Sequence, residues 1–376
     1  GTVTGSDIVS RKGEVEMKQE SDPLYSIHTA DKRNTASNIE ESFVPASVCA
    51  HDHDNGTGDI DFSDVSGNVN DYPAWLRRES IIADTVYIEM IDLLDELYAS
   101  RNGERNIYIE KFILRTEKLI EVCQRSNVIL RKAVRLKKEH DLLTIHSLNT
   151  AILAIKIGIV RNFTHERLFS LAISALLHDI GMTMVDTSIL DKKEKLTSEE
   201  YEQITQHVMY SREILSSEFA CFPFLAPIAA QIHERENGGG YPYGLKGESI
   251  HEFAKIIGLC DVYIAMTSRK AHREDFSGYA TLQQIISRRG IDFSPQIIKS
   301  LIDVLSVFPL ESLVKLNNNA IGRVIDISPV HPTRPILLIL INPDGERLNP
   351  PKFLDLEQEP LLDIRCFDIQ ERFLFQ

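Results

Sequence analysis

Apolar residues along this chain follow two different periods. Between about residues 79 and 308 they recur every three or four positions, as is typical of amphipathic or buried helices. After Phe308 they alternate with polar residues, and the apolar run 336–341 precedes a strong turn signal, Pro343-Asp344-Gly345. This second pattern predicts a small antiparallel sheet. Residues 1–72 show no clear period and are polar and acidic, so we expect a poorly ordered or regulatory segment there.

The helical part contains recognisable starts and stops. One helix is predicted near residues 79–98, and a longer one near 108–139 with a basic end. That basic end is interpreted as a solvated face or as a linker helix that pairs with a second copy of the chain. Further on, Gly158 is expected to end a helix. Thr197 with Glu200, and Ser249 with Glu252, have the spacing of capping boxes.

Together the patterns predict a mainly α protein with a small C-terminal β extension. The predicted divisions are an acidic segment (1–72), an N-terminal helical region (73–139), a helical bundle (140–308) and the extension (309–376). The N-terminal helices are the expected contact surface of a homodimer.

Composition narrows the functional classes. The chain has 376 residues, 43% of them hydrophobic, and a net charge of −14, which argues against binding a nucleic acid polymer. No uninterrupted run of about 18 apolar residues occurs, so we expect no membrane contact. The five cysteines show no CxxC or framework spacing, which favours reduced thiols and a cytoplasmic location.

The pair His178–Asp179 carries the strongest chemical signal. It follows the apolar helical run 175–177, and Gly181 comes two residues later. An imidazole nitrogen and an adjacent carboxylate can bind one metal ion, and the second carboxylate oxygen can bridge to another ion. Four further residues lie in segments that otherwise have the pattern of core helices: His146, His207, His233 and Asp261. Because buried polar groups need partners, a shared metal centre is the predicted reason for all six.

A second signal is the segment His233-Glu234-Arg235-Glu236-Asn237-Gly238-Gly239-Gly240-Tyr241-Pro242. Its glycines allow a close approach of the backbone to a ligand, and their N–H groups can face phosphate oxygens. Tyr241 offers a ring on which a base can stack. The alternative is a flexible loop plugged by a tyrosine.

Taken together, these segments resemble the HD-GYP family of metal-dependent phosphohydrolases. The resemblance covers about residues 140–308, and the tail is similar to the β extension that often follows in this family. It implies an HD-type helical bundle that binds two or three metal ions, often iron or manganese, and hydrolyses cyclic di-GMP to pGpG or GMP. The implied metal ligands are His146, His178, Asp179, His207, His233 and Asp261. His178 and Asp179 would also be catalytic, since Asp179 would bridge two ions that hold the attacking hydroxide.

The chain departs from the family pattern at several positions. Ile232 replaces a histidine that usually binds the second metal, and Leu142 replaces the glutamate of three-metal members, so two ions are expected. Met182 and Ile264 replace a usual Lys and Asp. Because removing one member of a buried pair strands a charge at a cost of about 3–5 kcal/mol, we interpret these two changes as one paired replacement. It would remove the proton donor, which is typically worth about 10²–10⁴-fold in rate.

Substrate contacts are expected from Gly239, Gly240, Tyr241, Lys270 and Arg273. Lys270 replaces a family arginine and keeps the charge with less geometric control over phosphate. The first functional hypothesis is therefore a cyclic di-GMP phosphodiesterase with weakened activity. The second is a catalytically degenerate cyclic-dinucleotide sensor. A third, an HD phosphohydrolase acting on another nucleotide, is disfavoured by the GYP segment.

Overall fold

The computed structural model describes residues 73–99, 109–134, 143–190, 192, 196–267, 278–328 and 331–367. The segment 1–72 and the predicted residues Leu142, Lys270 and Arg273 lie outside this part of the chain. The described fold is mainly helical with a C-terminal antiparallel sheet, which confirms the predicted fold class. The helices are α1 (Ala74–Ala99), α2 (Ile109–Arg125), α3 (Val128–Val134), α4 (Leu143–Val160), α5 (His165–Leu177), α6 (Thr187–Leu190), α7 (Ser198–Thr205), α8 (His207–Glu218), α9 (Leu225–Ala229), α10 (Glu252–Thr267), α11 (Gly278–Ser287) and α12 (Pro295–Leu305).

Helix α4 is the centre of the helical part. It packs against α1, α2, α3, α5, α10 and α12, and its residues from Ser147 to Gly158 are buried. By length and composition it could cross a membrane, although 72% of it is buried inside the protein. The search for membrane spans in the sequence passed over this helix because it counted only uninterrupted apolar runs, and α4 contains buried polar residues such as Ser147 and Asn149.

Gly158 does not end α4, contrary to the expectation. The helix continues to Val160, and the chain turns at Asn162, which has a φ of 56°. A Cβ at Gly158 would lie 2.7 Å from Leu168 Cδ2. The glycine is therefore explained by the close packing of α4 against α5.

The predicted helix 108–139 is broken into α2 and α3 around Ser126. The buried Lys156 of α4 donates hydrogen bonds to the carbonyl oxygens of Cys123 (2.8 Å) and Ser126 (3.0 Å). These carbonyls lie at the end of α2, where intrahelical partners run out. Burial lowers the pKa of Lys156. Within the described part of the basic end, the Arg131 side chain is less solvated than expected, because it is only 16% exposed and lies 3.5 Å from Glu311.

Capping predictions have mixed outcomes. Thr197 and Glu200 form the predicted capping box at the start of α7. Ser249 instead closes a short 3-10 turn, and α10 begins at Glu252. At that start, the Phe253 N–H donates to His251 Nδ1 at 3.1 Å, so a histidine takes the place predicted for a serine cap.

The C-terminal sheet contains β1 (Leu313–Leu316), β2 (Ile321–Asp326), β3 (Ile336–Ile341), β4 (Arg347–Asp355) and β5 (Ile364–Phe367). The strand order is β4-β3-β2-β1-β5, and all pairs are antiparallel. All five strands lie in the region after Phe308 for which a sheet was predicted, and β3 coincides with the apolar run 336–341. Strand β4 was not predicted because it contains Pro350 and Pro351, and its edge position explains how it tolerates them.

Candidate metal centre

The His178–Asp179 pair lies where α5 ends and a 3-10 turn (Ile180–Met184) begins. His178 Nδ1 lies 2.8 Å from the carbonyl oxygen of Ala175 in the last turn of α5. Because a carbonyl can only accept, Nδ1 carries the proton of the neutral ring. His178 Nε2 then presents its lone pair to the interior, as a metal ligand requires.

Ser211 attaches this turn to α8. Its hydroxyl accepts a hydrogen bond from the Gly181 N–H and donates one to the His178 carbonyl oxygen, both at 2.9 Å. A Cβ at Gly181 would lie 2.1 Å from the His207 carbonyl oxygen, so only glycine fits there. The close contact brings His207, the first residue of α8, next to the His-Asp pair.

All six predicted metal ligands converge, and their donor atoms form two groups that share Asp179. The four-donor group contains His146, His178, Asp179 and Asp261, and the three-donor group contains Asp179, His207 and His233. Within each group the donor atoms lie within 4.8 Å of one another. The fold thus brings together residues from α4, α8 and α10, from the end of α5, and from the turn that follows α9.

The distances place Asp179 between the two groups. Its Oδ2 lies 3.2 Å from His178 Nε2, and its Oδ1 lies 3.5 Å from His207 Nε2. Asp261 Oδ1 lies 2.8 Å from His146 Nε2. In the three-donor group, the Nε2 atoms of His207 and His233 are 3.1 Å apart. His207 Nδ1 lies 2.6 Å from the Ile204 carbonyl oxygen, so the tautomer of His207 is fixed as in His178.

The charged side chains of the cluster shift one another's pKa values in the direction that favours imidazolium and carboxylate forms. Burial alone would lower the pKa of His178, but the Asp179 carboxylate, and then Asp261, raise it to about 9. Burial would raise the pKa of Asp179, yet His178, His207 and His146 hold it well below its usual range. The pKa of Asp261 is lowered against its burial, chiefly by the hydrogen bond with His146.

Unpaired buried atoms show that these residues fit a metal. His178 Nε2, Asp179 Oδ1 and Asp261 Oδ2 are buried without a hydrogen-bond partner. Leaving such atoms unpaired is costly, and divalent cations held by the two groups would satisfy them. Imidazole nitrogens mixed with carboxylate oxygens suit Fe, Mn or Zn better than a thiolate-preferring metal. The arrangement can therefore hold divalent metal, with Asp179 placed to contact both groups.

The loop after His233, which contains Gly240-Tyr241-Pro242 and is called the GYP loop below, packs directly on the cluster. The Tyr241 ring stacks on the His233 ring, with centroids 4.9 Å apart and planes 5° apart. The buried Glu234 carboxylate accepts hydrogen bonds from the N–H groups of Tyr243 (2.7 Å) and Leu245 (2.9 Å). These hydrogen bonds hold the loop against the backbone segment that carries His233. The loop therefore forms one wall of the candidate site.

Within this loop the glycines have different surroundings. A Cβ at Gly240 would lie 2.4 Å from Glu234 Cα, so the backbone itself requires glycine. The Gly239 N–H donates to Asn237 Oδ1 at 2.7 Å. The Tyr241 N–H donates to the His233 carbonyl oxygen at 3.2 Å. A contact of Gly239, Gly240 and Tyr241 with substrate stays a prediction.

The remaining departures from the family pattern lie close to the cluster in the chain. Ile232 is buried beside His233. Ile264 is buried on α10, one turn after Asp261, and Met182 is half-buried in the 3-10 turn. Sequence reasoning missed Ser211 and Glu234 as supporting residues. Ser211 lies one helical turn after His207, but that spacing does not indicate its bonds to the distant backbone of His178 and Gly181.

Comparison with known proteins agrees with this geometry. A family described as "HD domain" matches residues 115–297, and a "KOW domain associated with HD domain" matches residues 313–373. "Cyclic di-GMP phosphodiesterase PdeB" of Borreliella burgdorferi is 31% identical over 260 residues, which is 68% of this chain and 67% of that protein. "Cyclic di-GMP phosphodiesterase PA4108" of Pseudomonas aeruginosa is 27% identical over 205 residues, covering 54% of this chain and 49% of that protein. This chain belongs to the HD-domain family.

Among solved structures, the chain is similar to one described as "Bd1817, a HDG"Y"P protein from Bdellovibrio bacteriovorus". It is 15% identical in sequence, with a TM-score of 0.49, and the match covers 64% of this chain and 74% of that chain.

Proposed function

We propose that this protein is a metal-dependent phosphodiesterase that hydrolyses cyclic di-GMP to pGpG or GMP and belongs to the HD-GYP branch. The observation that carries the proposal is the pair of donor groups sharing Asp179 beneath a GYP loop. The names of the relatives support the substrate, since PdeB and PA4108 are both cyclic di-GMP phosphodiesterases.

The proposed chemistry assigns a task to each part of the site. Two divalent ions, iron or manganese, would activate water and neutralise the charge of the phosphodiester. Asp179 would bind both ions, and His146, His178, Asp261, His207 and His233 would complete their coordination. Tyr241, Lys270 and Arg273 would hold the dinucleotide. A cytoplasmic location is part of the same proposal.

We further propose that hydrolysis is slow, because the usual Lys and Asp are absent. Ile264 is 1% exposed, so this position on α10 offers no polar group to the site. The half-buried Met182 likewise carries no proton that could be passed to a leaving oxygen. The expected deficit is about 10²–10⁴-fold, the usual contribution of general acid catalysis.

The test is an incubation of the protein, loaded with Mn²⁺ or Fe²⁺, with cyclic di-GMP and analysis for pGpG and GMP. Product formation that disappears in Asp179→Asn supports the phosphodiesterase. The double variant Met182→Lys/Ile264→Asp should raise the rate, whereas Ile264→Asp alone should mainly destabilise the fold by stranding a buried charge. An unchanged rate in the double variant would contradict the proposed cause of slow hydrolysis.

The same two apolar replacements favour a second candidate, a cyclic-dinucleotide sensor that binds without hydrolysis. In that case binding of cyclic di-GMP would be measurable by calorimetry, metal would be present, and prolonged incubation would yield no product. Binding without product therefore selects the sensor over the enzyme.

A homodimer through the N-terminal helices is supported by apolar exposure on α1 and α2. Ile81 and Ile88, one heptad apart on α1, are 64% and 56% exposed, and Leu114 on α2 is 69% exposed. Light scattering should give a dimer mass that falls to the monomer mass in Ile81→Glu/Ile88→Glu. A monomeric wild-type protein would contradict the dimer.

A further inference from the structure

Helix α1 lies outside the matched HD region, yet it is hydrogen-bonded to the helix that carries His146. The Tyr87 hydroxyl donates to Asn149 Oδ1 at 2.8 Å, and the Thr144 hydroxyl donates to Asp95 Oδ1 at 2.5 Å. The Tyr98 hydroxyl lies 2.9 Å from Ser147 Oγ. All three partners on α4 lie within one helical turn of His146. Helix α1 is therefore hydrogen-bonded to the part of α4 that contributes to the metal centre.

Tyr98 differs from the other two because it also contacts α5. Its hydroxyl lies 2.9 Å from the Leu176 carbonyl oxygen. A carbonyl can only accept, so the tyrosine donates its proton to Leu176, while its oxygen stays within hydrogen-bonding distance of the Ser147 hydroxyl. One phenol oxygen thereby joins the residue after His146 to the residue two before His178.

The contact with Leu176 satisfies a group that α5 leaves open. The last carbonyls of a helix have no intrahelical partner. At the end of α5, the Ala175 carbonyl is taken by His178 Nδ1, and the Leu176 carbonyl is taken by Tyr98. The two bonds fix the geometry of the chain immediately before Asp179, so the tyrosine acts on the same helix end that orients the His178 ring.

We infer that Tyr98 is a positioning residue of the metal centre, which sets the separation between His146 and the His178–Asp179 pair. Its hydroxyl acts through Ser147 and the Leu176 carbonyl, not by binding metal itself. The inference rests on the proposed metal-dependent function. It also makes α1 an integral support of the site, although α1 precedes the HD match at residues 115–297.

The test compares Tyr98→Phe with Tyr87→Phe by titration with Mn²⁺ alone, with no nucleotide present. Both substitutions remove one buried hydroxyl from α1 and keep the ring, so both should lower the melting temperature, Tyr98→Phe by somewhat more because its hydroxyl has two partners. Tyr98→Phe alone should weaken Mn²⁺ binding, by about 10-fold, the low end of the loss seen when groups that orient metal ligands are removed.

A second variant protects the test if Tyr98→Phe fails to fold. Ser147→Ala keeps the bond between Tyr98 and Leu176 and removes only the link to α4, so it should weaken Mn²⁺ binding by a smaller factor. The inference would be overturned if Tyr98→Phe bound Mn²⁺ with wild-type affinity. If Tyr98→Phe cannot be prepared, wild-type affinity in a folded Ser147→Ala would overturn it. So would an equal loss in Tyr87→Phe. A wild-type protein that binds Mn²⁺ but leaves cyclic di-GMP intact would refute the proposed hydrolysis and leave the inference standing.

Discussion

The two donor groups of the metal centre share Asp179 but differ in number and in how they are held. The four-donor group draws on α4, α10 and the end of α5, and the helices around it form the buried core. The three-donor group draws on His207 and His233 and lies beside the GYP loop. Ile232, which precedes His233, has a buried apolar side chain and therefore adds no donor atom to this group. If each group binds one ion, we expect the four-donor group to hold its ion more tightly than the three-donor group does.

Substitution of Asp179, which belongs to both donor groups, should have the largest effect on metal binding and activity. Asp179→Asn keeps the shape of the side chain but removes the negative charge that contacts both groups. We expect both ions to be lost and any phosphodiesterase activity to fall at least about 100-fold, because a metal supplies several kcal/mol of charge stabilisation. Metal analysis and a product assay measure the two effects. Retention of two ions in this variant would contradict the shared role.

Removing one donor from each group should separate the two sites. His233→Gln would leave the three-donor group with two donors, so the protein should bind one ion fewer. His146→Gln would leave the other group with three donors, so that ion should remain with an affinity about 10- to 100-fold lower. Metal content after dialysis and Mn²⁺ titration distinguish these outcomes. If both variants lost the same ion in the same way, the two groups would not be separate sites.

Adding a metal-binding side chain to the three-donor group should bring its affinity closer to that of the four-donor group. Ile232→His restores the family's residue beside His233, and we expect the weaker ion to bind about 10-fold more tightly. The matched control is Ile228→His, which changes another buried isoleucine outside the motif. Both variants are followed by Mn²⁺ titration and thermal unfolding. An equal affinity for the second ion in wild type and Ile232→His would show that Ile232 does not explain the weaker site.

The smallest expected effect is the loss of stability when the Ser211 hydroxyl is removed, because this hydroxyl links α8 to the turn that carries His178 and Asp179. Ser211→Ala removes the hydroxyl that joins the Gly181 N–H and the His178 carbonyl to α8. The buried groups left unpaired should lower the free energy of unfolding by about 1–3 kcal/mol. Ser217→Ala, at an exposed position of α8, should change it by less than about 0.5 kcal/mol. Urea denaturation compares the two, and equal stabilities would mean that Ser211 does not hold the groups together.

The sequence alone determined the fold class, the division into a helical region and a C-terminal sheet, and the six residues that cluster as candidate metal ligands. It could do so because helical and strand periods are local, and because His and Asp within apolar helices need a common partner. It misplaced the end of α4 at Gly158 and missed β4. In both cases a neighbouring element, Leu168 or the edge of the sheet, decides the role of the residue.

Only the tertiary structure decided that the donors form two groups sharing Asp179, and that one is poorer. It also revealed the supports Ser211, Glu234 and Tyr98. Their partners are 33, 11 and 78 residues away for the bonds to His178, Leu245 and Leu176. Such bonds leave no periodic trace in the sequence, since a serine, glutamate or tyrosine acquires this role only when packing brings a distant backbone group to its side chain.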